Sequence, residues 1–316
     1  MNALLYSKEL AMYFDILRFQ RHISQESFTA EIVSLRQYRR YLKGEYQIPQ
    51  YVVNKLSRRL GFKPEYLLLE FESSKMKETQ EVNKYHNFVV NYDFENAKLL
   101  RESLSSHPLL DENNHRIFIY ANLLYDFYTH KLNEITLISN IKELINYTSL
   151  LKNTSFSSTE IIILTSLLSI SSFNEKDKIV NILRAYLENE KFIISGHNQN
   201  TLLLCLYRLA DYSGLCNNYD DVIEFCKKGI MYCNMLKIHY LLEDFYYYSA
   251  LAFSALDQID KAHEMLYLCY CVLQIENNAA KTKKYYQYIE GDFNIRKFDK
   301  FIITYLNKKK LEHNLP

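Results

Sequence analysis

The chain has 316 residues, of which 48% are hydrophobic, enough to bury a core in two domains or in one domain plus a repeat array. With only 6 Gly, 4 Pro and no Trp, the composition argues against a turn-rich all-β fold and favours long helices joined by polar loops. The net charge of +1 excludes binding to polyanions by bulk charge alone, but residues 1–64 carry a net +6 and the remainder a net −5. A basic N-terminal region before an acidic body favours nucleic-acid binding by that region.

Five short helices are predicted at the N-terminal end. In chain order, their sequences are KELAMYFDILRFQRH, ISQESFTAEIV, SLRQYRRYLKGE, PQYVVNKLSRRLGF and KPEYLLLEFE. Ser24 is placed to cap the second helix, and Glu26 lies in its first turn, where the helix dipole favours an acid. Gly44 is placed to end the third helix.

The third of these helices separates its charges from its apolar residues. At about 100° per residue, Arg39, Arg40 and Lys43 fall within roughly 60° of Arg36. The residues on the opposite half are Leu35, Tyr38, Tyr41 and Leu42. Such a cationic face is commonly just solvated, so the helices around it decide the interpretation.

The order of these helices resembles the Xre/Cro-type helix-turn-helix domain. The residues that carry the resemblance are Ser24, Gln25, Glu26, Phe28, Ile32, Ser34, Tyr38, Arg40, Tyr41, Gly44, Pro49, Leu56, Leu60 and Gly61. Two features depart from the pattern: Glu31-Ile32-Val33 replaces the small residue of the turn, and Pro49 lies one residue later than usual after Gly44.

The resemblance implies that the third helix enters the major groove of DNA and the second crosses the backbone. Arg36, Gln37 and Arg40 match the positions that face the bases. Arg39 and Lys43 flank them and are expected to contact phosphates. Gln25 and Ser34 complete the predicted DNA-binding set. Further candidates for phosphate contacts are Arg21, Gln25, Arg58 and Arg59.

The rest of the chain has a rhythm of about 40 residues. Sets of apolar residues at helical spacing begin near Phe94, Ile135, Ile179, Tyr219 and Ile259 and recur at Ile303. This period predicts helix pairs stacked in a solenoid. Two units, residues 206–230 and 246–266, approach the tetratricopeptide pattern but lack its Trp and its terminal Pro. The repeats are therefore degenerate.

A stacked array of this kind presents a concave face built by the first helix of each pair. The residues predicted to bind a peptide there are Tyr120, Asn122, Phe127, Tyr207, Arg208, Asp211, Asp244 and Tyr247. Aromatic and polar side chains together suit the apolar side chains and the backbone of an extended peptide. The alternative is that the tyrosines, 28 in the chain, only fill gaps between helices.

The motifs of nucleotide-binding and hydrolytic enzymes are absent, so we predict no enzyme activity, cofactor or metal. The acidic pairs Asp220-Asp221 and Glu243-Asp244 have no evident base or metal partner in the sequence. The six Cys include no CxxC pair and suggest reduced thiols. With no apolar leader and no membrane-spanning run, a cytoplasmic location is expected.

Head and body together resemble the RRNPP group of regulators, the Rgg-, PlcR- and PrgX-like proteins. The predicted fold is all-α, with a five-helix helix-turn-helix domain at 1–72 and a degenerate tetratricopeptide-like solenoid at 73–316. The resemblance implies a homodimeric transcription regulator that binds a palindromic operator in double-stranded DNA and responds to a short signalling peptide in quorum sensing. Two alternatives remain open: a regulator whose solenoid binds a protein partner, and a scaffold that inhibits a partner enzyme without binding DNA.

Overall fold

A computed structural model of the chain describes residues 3–106, 108–153, 155–188 and 198–312. These residues form helices, turns and loops, with no strand among them. Contacts divide the chain into two compact units, one reaching Tyr147 and the other beginning at Thr148, and each is described by itself. The short helix α9 (Tyr147–Leu150) lies at the division.

The first unit begins with the five helices predicted at the N-terminal end, which together we call the head. They are α1 (Ala3–Gln20), α2 (Gln25–Thr29), α3 (Leu35–Leu42), α4 (Gln50–Arg59) and α5 (Pro64–Val90). Side chains from all five helices are fully buried in one core, among them Phe14, Phe28, Tyr38, Leu56 and Phe71. The ring of Phe28 is central, because it contacts the rings of both Phe14 and Tyr38.

The fifth helix is not short, as the sequence suggested, but runs for 27 residues. Its first part buries Leu67 and Phe71 in the head, and its last part buries Tyr85 and Val89. The rest of the unit is α6 (Phe94–Ser105), α7 (Glu112–Tyr128) and α8 (Glu134–Leu144), and α5 packs against both α6 and α7. The predicted domain boundary at residues 72 and 73 therefore falls within one continuous helix, and that boundary stays a prediction.

A buried ion cluster joins three helices of the first unit. The ammonium of Lys75 on α5 lies 2.6 Å from Glu9 Oε2 on α1 and 3.1 Å from Asp111 Oδ2, at the start of α7. Burial raises the pKa of Glu9 more than Lys75 lowers it. Burial lowers the pKa of Lys75, but hydrogen bonds and charges from two carboxylates outweigh it and raise the pKa overall. Because Lys75 faces two carboxylates, its ammonium is held in the charged form.

The second unit consists of helices α10 to α17 and a 3-10 turn. They are α10 (Ser158–Ser166), the turn Leu167–Ser169, α11 (Lys176–Glu188), α12 (Asn198–Leu215), α13 (Tyr219–Leu236), α14 (Leu242–Ala255), α15 (Ile259–Glu276), α16 (Ala279–Asp292) and α17 (Phe298–Glu312). Helices α12 to α15 pack in sequence, each against the next. The small residues expected from the tetratricopeptide pattern, Ala210, Ala250 and Ala262, are at most 1% exposed. They let neighbouring helices approach closely.

Few glycines are needed because other residues supply the left-handed backbone at helix ends. In the second unit the left-handed positions after helices include Asn217, Lys237, Asp257, Asn277 and Asn294, with φ between 52° and 57°. Asn and Asp tolerate this conformation better than most residues. The sharp turns of a glycine-poor repeat are thus made mostly by Asn and Asp.

Candidate functional site

The cations predicted to face DNA lie on or beside α3, separated from its buried side. Arg36, Arg39 and Lys43 are exposed and Arg40 is partly exposed. On the opposite side, Tyr38 and Tyr41 are 0% and 3% exposed and belong to the head core. The sequence therefore predicted correctly which face of α3 is cationic and which is buried.

The ends of α3 are fixed by local hydrogen bonds. At its start, Ser34 Oγ accepts a hydrogen bond from the backbone N–H of Gln37 at 3.2 Å. At its end, Gly44 takes a φ of +73°, its N–H donates to Tyr41 O, and the N–H of Glu45 donates to Arg40 O. This pair of bonds is a Schellman motif. It turns the chain back over the last turn of α3.

The turn between α2 and α3 explains the first departure from the helix-turn-helix pattern. Glu31 has a φ of +61°, the left-handed region in which glycine is unstrained. For a residue with a side chain, this conformation costs about 1–2 kcal/mol. The turn is thus made at Glu31 without the usual small residue, and α3 still begins at its Ser34 cap.

Gln25 and Arg39 belong to a polar network that connects three helices of the head. Gln25 Nε2 donates to Asp15 Oδ1 at 2.9 Å, and Gln25 Oε1 accepts from Arg39 Nε at 3.4 Å. Asp15 also forms a two-bond ion pair with Arg18 and accepts a hydrogen bond from Tyr38. Both predicted phosphate contacts are therefore oriented by the protein itself.

Arg59, one of the further phosphate candidates, has a structural role. Its Nη1 donates to the backbone oxygens of Ser27, Phe28 and Ala30, at 3.2, 3.0 and 2.6 Å. These carbonyls lie at the C-terminal end of α2, where helix carbonyls lack partners. Arg59 therefore caps α2 from α4.

Arg40 makes two contacts on the exposed surface. Its Nε donates to Glu45 Oε2 at 3.1 Å, and its guanidinium lies 3.8 Å from the centre of the Tyr46 ring. Both partners follow the Schellman turn, so the end of α3 brings them back to Arg40.

Three of the predicted peptide-binding residues lie on α7 in the first unit. Tyr120 is only 4% exposed, and its ring lies 5.5 Å from that of His86. Asn122 Oδ1 accepts a hydrogen bond from Tyr85 Oη at 2.7 Å. Phe127 is partly buried. Tyr120 and Asn122 thus already have partners within the unit.

The other five lie in the second unit, on α12 and α14. These are the first helices of two successive helix pairs, α12 with α13 and α14 with α15. The five residues are Tyr207, Arg208 and Asp211 on α12, and Asp244 and Tyr247 on α14. Their contacts also bring in Tyr248 on α14, and Tyr285 and Asp292 on α16. We call Tyr207, Asp211, Asp244, Tyr247, Tyr248, Tyr285 and Asp292 the tyrosine–aspartate face.

Each aspartate of the tyrosine–aspartate face accepts a hydrogen bond from a tyrosine of a neighbouring first helix. Tyr248 Oη donates to Asp211 at 2.9 Å, and Tyr285 Oη donates to Asp244 at 2.5 Å. Tyr247 donates to Asp292. The four tyrosine rings also form a continuous series. Their ring centroids lie 5.5 Å apart for Tyr207 and Tyr248, 5.7 Å for Tyr248 and Tyr247, and 5.9 Å for Tyr247 and Tyr285.

Arg208 places a cation beside this face. Its guanidinium lies 5.1 Å from the Tyr207 ring, and Nη1 donates to Ser169 Oγ at 2.6 Å. Its charge lowers the pKa of Asp244, although burial dominates and raises that pKa to about 6. Tyr247 and Tyr285 are only 8% and 7% exposed. The groups of this arrangement that are open to a ligand are the rings of Tyr207 and Tyr248, the carboxylates of Asp211 and Asp292, and the guanidinium of Arg208.

The acidic pairs do have basic partners, contrary to the sequence interpretation. Glu243, 1% exposed, is paired with Lys281 of α16, and Asp221 is paired with Arg184. Burial and the charge of Asp244 raise the pKa of Glu243 to about 7 against the opposing effect of Lys281. No group of His, Cys, Asp and Glu suited to a metal ion occurs within the described ranges.

Sequence reasoning missed Tyr248 and Tyr285, although a signal was present. Tyr248 lies 41 residues after Tyr207, and Tyr285 lies 41 residues after Asp244. These separations match the repeat period, so residues one period apart on successive first helices meet. Projecting each candidate forward by one period would have identified both tyrosines.

No protein-family model matches the chain, and no curated protein sequence matches it significantly. Solved structures do match. PlcR of Bacillus thuringiensis, in complex with the peptide PapR7 and DNA, has a TM-score of 0.54 and 12% identity over 88% of this chain and 98% of its own. ComR of S. thermophilus, in complex with DNA and its signalling peptide ComS, has a TM-score of 0.56 and 13% identity over 90% of this chain and 99% of its own.

A third match is ComR of Streptococcus vestibularis in complex with its signalling peptide XIP, with a TM-score of 0.56 and 14% identity, covering 90% of this chain and 99% of its own. The chain shares the fold of these three structures. The prediction of an all-α fold with a helix-turn-helix head and tetratricopeptide-like pairs is thereby confirmed. The ComR of Streptococcus vestibularis is named as a competence regulator. No helix in the described part of the chain is both long and apolar enough to cross a membrane.

Proposed function

We propose that the chain is a sequence-specific DNA-binding transcription regulator whose DNA binding is controlled by a short peptide bound to its tetratricopeptide-like helices. The observation that carries the DNA-binding part is the cationic face of α3, opposite the buried Tyr38 and Tyr41. PlcR and ComR, which share the fold, are described in complex with DNA and with a peptide. That likeness supports the proposal.

On DNA, Arg36, Gln37 and Arg40 would contact base edges. Bidentate hydrogen bonds from Arg to guanine are the commonest specific contact of this kind. Gln25, Ser34, Arg39 and Lys43 would contact phosphates, which fix position but carry little sequence information. A single recognition helix reads only a few base pairs, so a homodimer on a palindromic operator follows. We also propose a cytoplasmic location, where such an operator lies.

The peptide-binding part of the proposal is supported by the tyrosine–aspartate face and Arg208. A short, largely apolar linear peptide would place side chains against the rings. Arg208 would pair with its backbone or its carboxyl terminus. Such a ligand controls DNA binding only if it binds two arrangements of the protein with different affinity.

The DNA-binding part is tested by selecting sequences from a random duplex library with the purified full chain. We expect enrichment of one symmetric sequence. Arg40→Ala should then lose about 1–3 kcal/mol and relax specificity at one base pair of each half-site. Lys43→Ala should weaken binding to all sequences alike and reduce the salt slope by about one unit. Failure to enrich any sequence would favour the enzyme-inhibiting scaffold.

The peptide part is tested by calorimetry with peptide fractions from the culture medium of the source cell. The variants are the double substitution Tyr207→Ala, Arg208→Ala and, as a control, Lys227→Ala on the exposed side of α13. We expect the double variant to bind at least tenfold more weakly and the control to bind like wild type. Equal affinity in all three would move the site elsewhere. If no fraction binds, the protein-partner alternative is favoured.

A further inference from the structure

Arg40 is held by two residues that the sequence did not connect with DNA binding. Its Nε is bonded to Glu45 Oε2 at 3.1 Å, and its guanidinium is stacked 3.8 Å from the centre of the Tyr46 ring. The side chains of Arg40 and Glu45 are 36% and 46% exposed, and Tyr46 is 45% exposed. An ion pair this exposed contributes little to folding stability. The arrangement therefore calls for another role.

The backbone explains why these two residues meet Arg40. Gly44 adopts φ +73°, and the N–H of Glu45 donates to the carbonyl of Arg40 at 3.0 Å. This bond fixes the residues after the turn against the last turn of α3. Because the anchor is the backbone of Arg40 itself, the carboxylate of Glu45 reaches the guanidinium of the same residue.

The chemistry of the guanidinium indicates what the contacts with Glu45 and Tyr46 would do. Arg presents five N–H donors in a planar fork. Glu45 occupies the donor on Nε, and Tyr46 covers one face of the plane, which leaves the Nη donors for another partner. A guanine base offers O6 and N7 as two adjacent acceptors in the major groove. A long side chain that is ordered before binding also loses less conformational freedom when it binds.

We propose that Glu45 and Tyr46 are positioning residues that hold Arg40 ready to read guanine in the major groove. This inference rests on the proposed DNA-binding function. Other predicted contacts on α3 differ in kind: Arg39 is held by the neutral Gln25 at 3.4 Å, and Lys43 is a point charge suited to phosphate. Among the predicted base contacts, Arg40 is the one that the end of its own helix orients.

The experiment uses the full-length chain and a random duplex DNA library. After selection, the affinity for the enriched site is compared with the affinity for sites in which single guanines are changed to adenine. We expect the wild type to discriminate about 5- to 150-fold at the guanine read by Arg40, a ratio that Arg40→Ala abolishes. Glu45→Gln and Tyr46→Leu should lower that ratio at least about threefold, with discrimination at other positions unchanged.

Two controls separate positioning from general damage. Tyr46→Phe keeps the ring and should retain the wild-type ratio. Gln47→Ala, on the next exposed residue of the loop, should also leave it unchanged. Thermal unfolding of each variant should match wild type, because the substituted side chains are exposed. A ratio restored by Phe and lost with Leu is a result that a merely structural role would not produce.

Four results would overturn the inference. If Glu45→Gln and Tyr46→Leu keep the full ratio while Arg40→Ala loses it, Arg40 reads its base unaided and the proposed function stands. If Glu45→Gln binds every sequence more tightly at an unchanged ratio, Glu45 masks Arg40 from DNA. If Arg40→Ala keeps the ratio, Arg40 is not the reader. If the wild type enriches no sequence, the proposed DNA-binding function itself fails, and Arg40 has no base to read.

Discussion

Replacing Lys75 by Met should destabilise the first unit in a pH-dependent way. The side chains of Lys75 and Glu9 are 9% and 4% exposed, so the substitution leaves a buried carboxylate without its cation. Removing one partner of a buried ion pair costs about 3–5 kcal/mol. Glu9 can limit this loss by taking up a proton. From its ordinary pKa of 4.5, at 1.36 kcal/mol per pH unit, that costs at most about 3.4 kcal/mol at pH 7 and about 1.4 kcal/mol at pH 5.5.

The assay is native-state hydrogen exchange of the α1 amides, with urea unfolding, at pH 7 and pH 5.5. We expect Lys75→Met to lose about 3 kcal/mol at pH 7 and about half of that at pH 5.5. Lys77→Met, on an exposed position of α5, is the matched control and should stay near wild type. The double variant Glu9→Gln, Lys75→Met should recover most of the loss. A loss below about 1 kcal/mol at pH 7, or one independent of pH, would refute the reasoning.

Two further predictions concern the second unit. A Cβ on Gly229 would lie 2.4–2.6 Å from the Phe245 ring, so Gly229→Ala should cost about 1–3 kcal/mol in thermal unfolding. Gly291→Ala, with nothing within 4 Å, should be neutral or stabilising by up to about 1 kcal/mol, and equal effects would contradict the close contact. The pKa of Glu243 is raised to about 7 in the native protein. Between about pH 5 and 7 the native protein therefore binds more protons than the unfolded chain, so its free energy of unfolding falls as pH rises. Glu243→Gln should therefore gain stability relative to wild type from pH 5.5 to pH 8 in urea unfolding, and a constant difference would rule out titration of this carboxyl.

The head could be predicted from the sequence because its signals are local. Ser24 caps α2 as expected, and Gly44 ends α3 as expected. The separation of cations from tyrosines on α3 depends only on the helical period. Each of these features involves residues within one helix or one turn.

The sequence did not predict the length of α5 because the buried side of this helix changes from apolar residues to a charged one. After Phe71, the next buried positions are Lys75 and Val82, and Lys75 reads as a surface residue in the sequence. Its burial depends on Glu9, 66 residues earlier, which no local pattern reveals. The apolar period was interrupted at the point where the helix buries an ion pair instead.

The peptide-binding candidates were only partly informative for a similar reason. The tyrosine–aspartate bonds join residues 37 to 45 positions apart. A repeat period of about 41 residues leads to Tyr248 and Tyr285. It does not predict the bonds of Tyr248 with Asp211 and of Tyr247 with Asp292, which span 37 and 45 residues and depend on how successive helix pairs are rotated. The sequence therefore located the helices and some members of the face, but not its hydrogen-bond partners.

The central claim is that a peptide changes the affinity of this chain for one DNA sequence. The most direct measurement is the fluorescence anisotropy of the library-selected duplex, titrated with the full-length chain at fixed salt, with and without each peptide fraction from the source cell's medium. We expect one fraction to change the dissociation constant at least about tenfold, a coupling of about 1.4 kcal/mol, with no change for a shuffled duplex. A dissociation constant that stays the same with every fraction, while binding remains sequence-specific, would contradict peptide control.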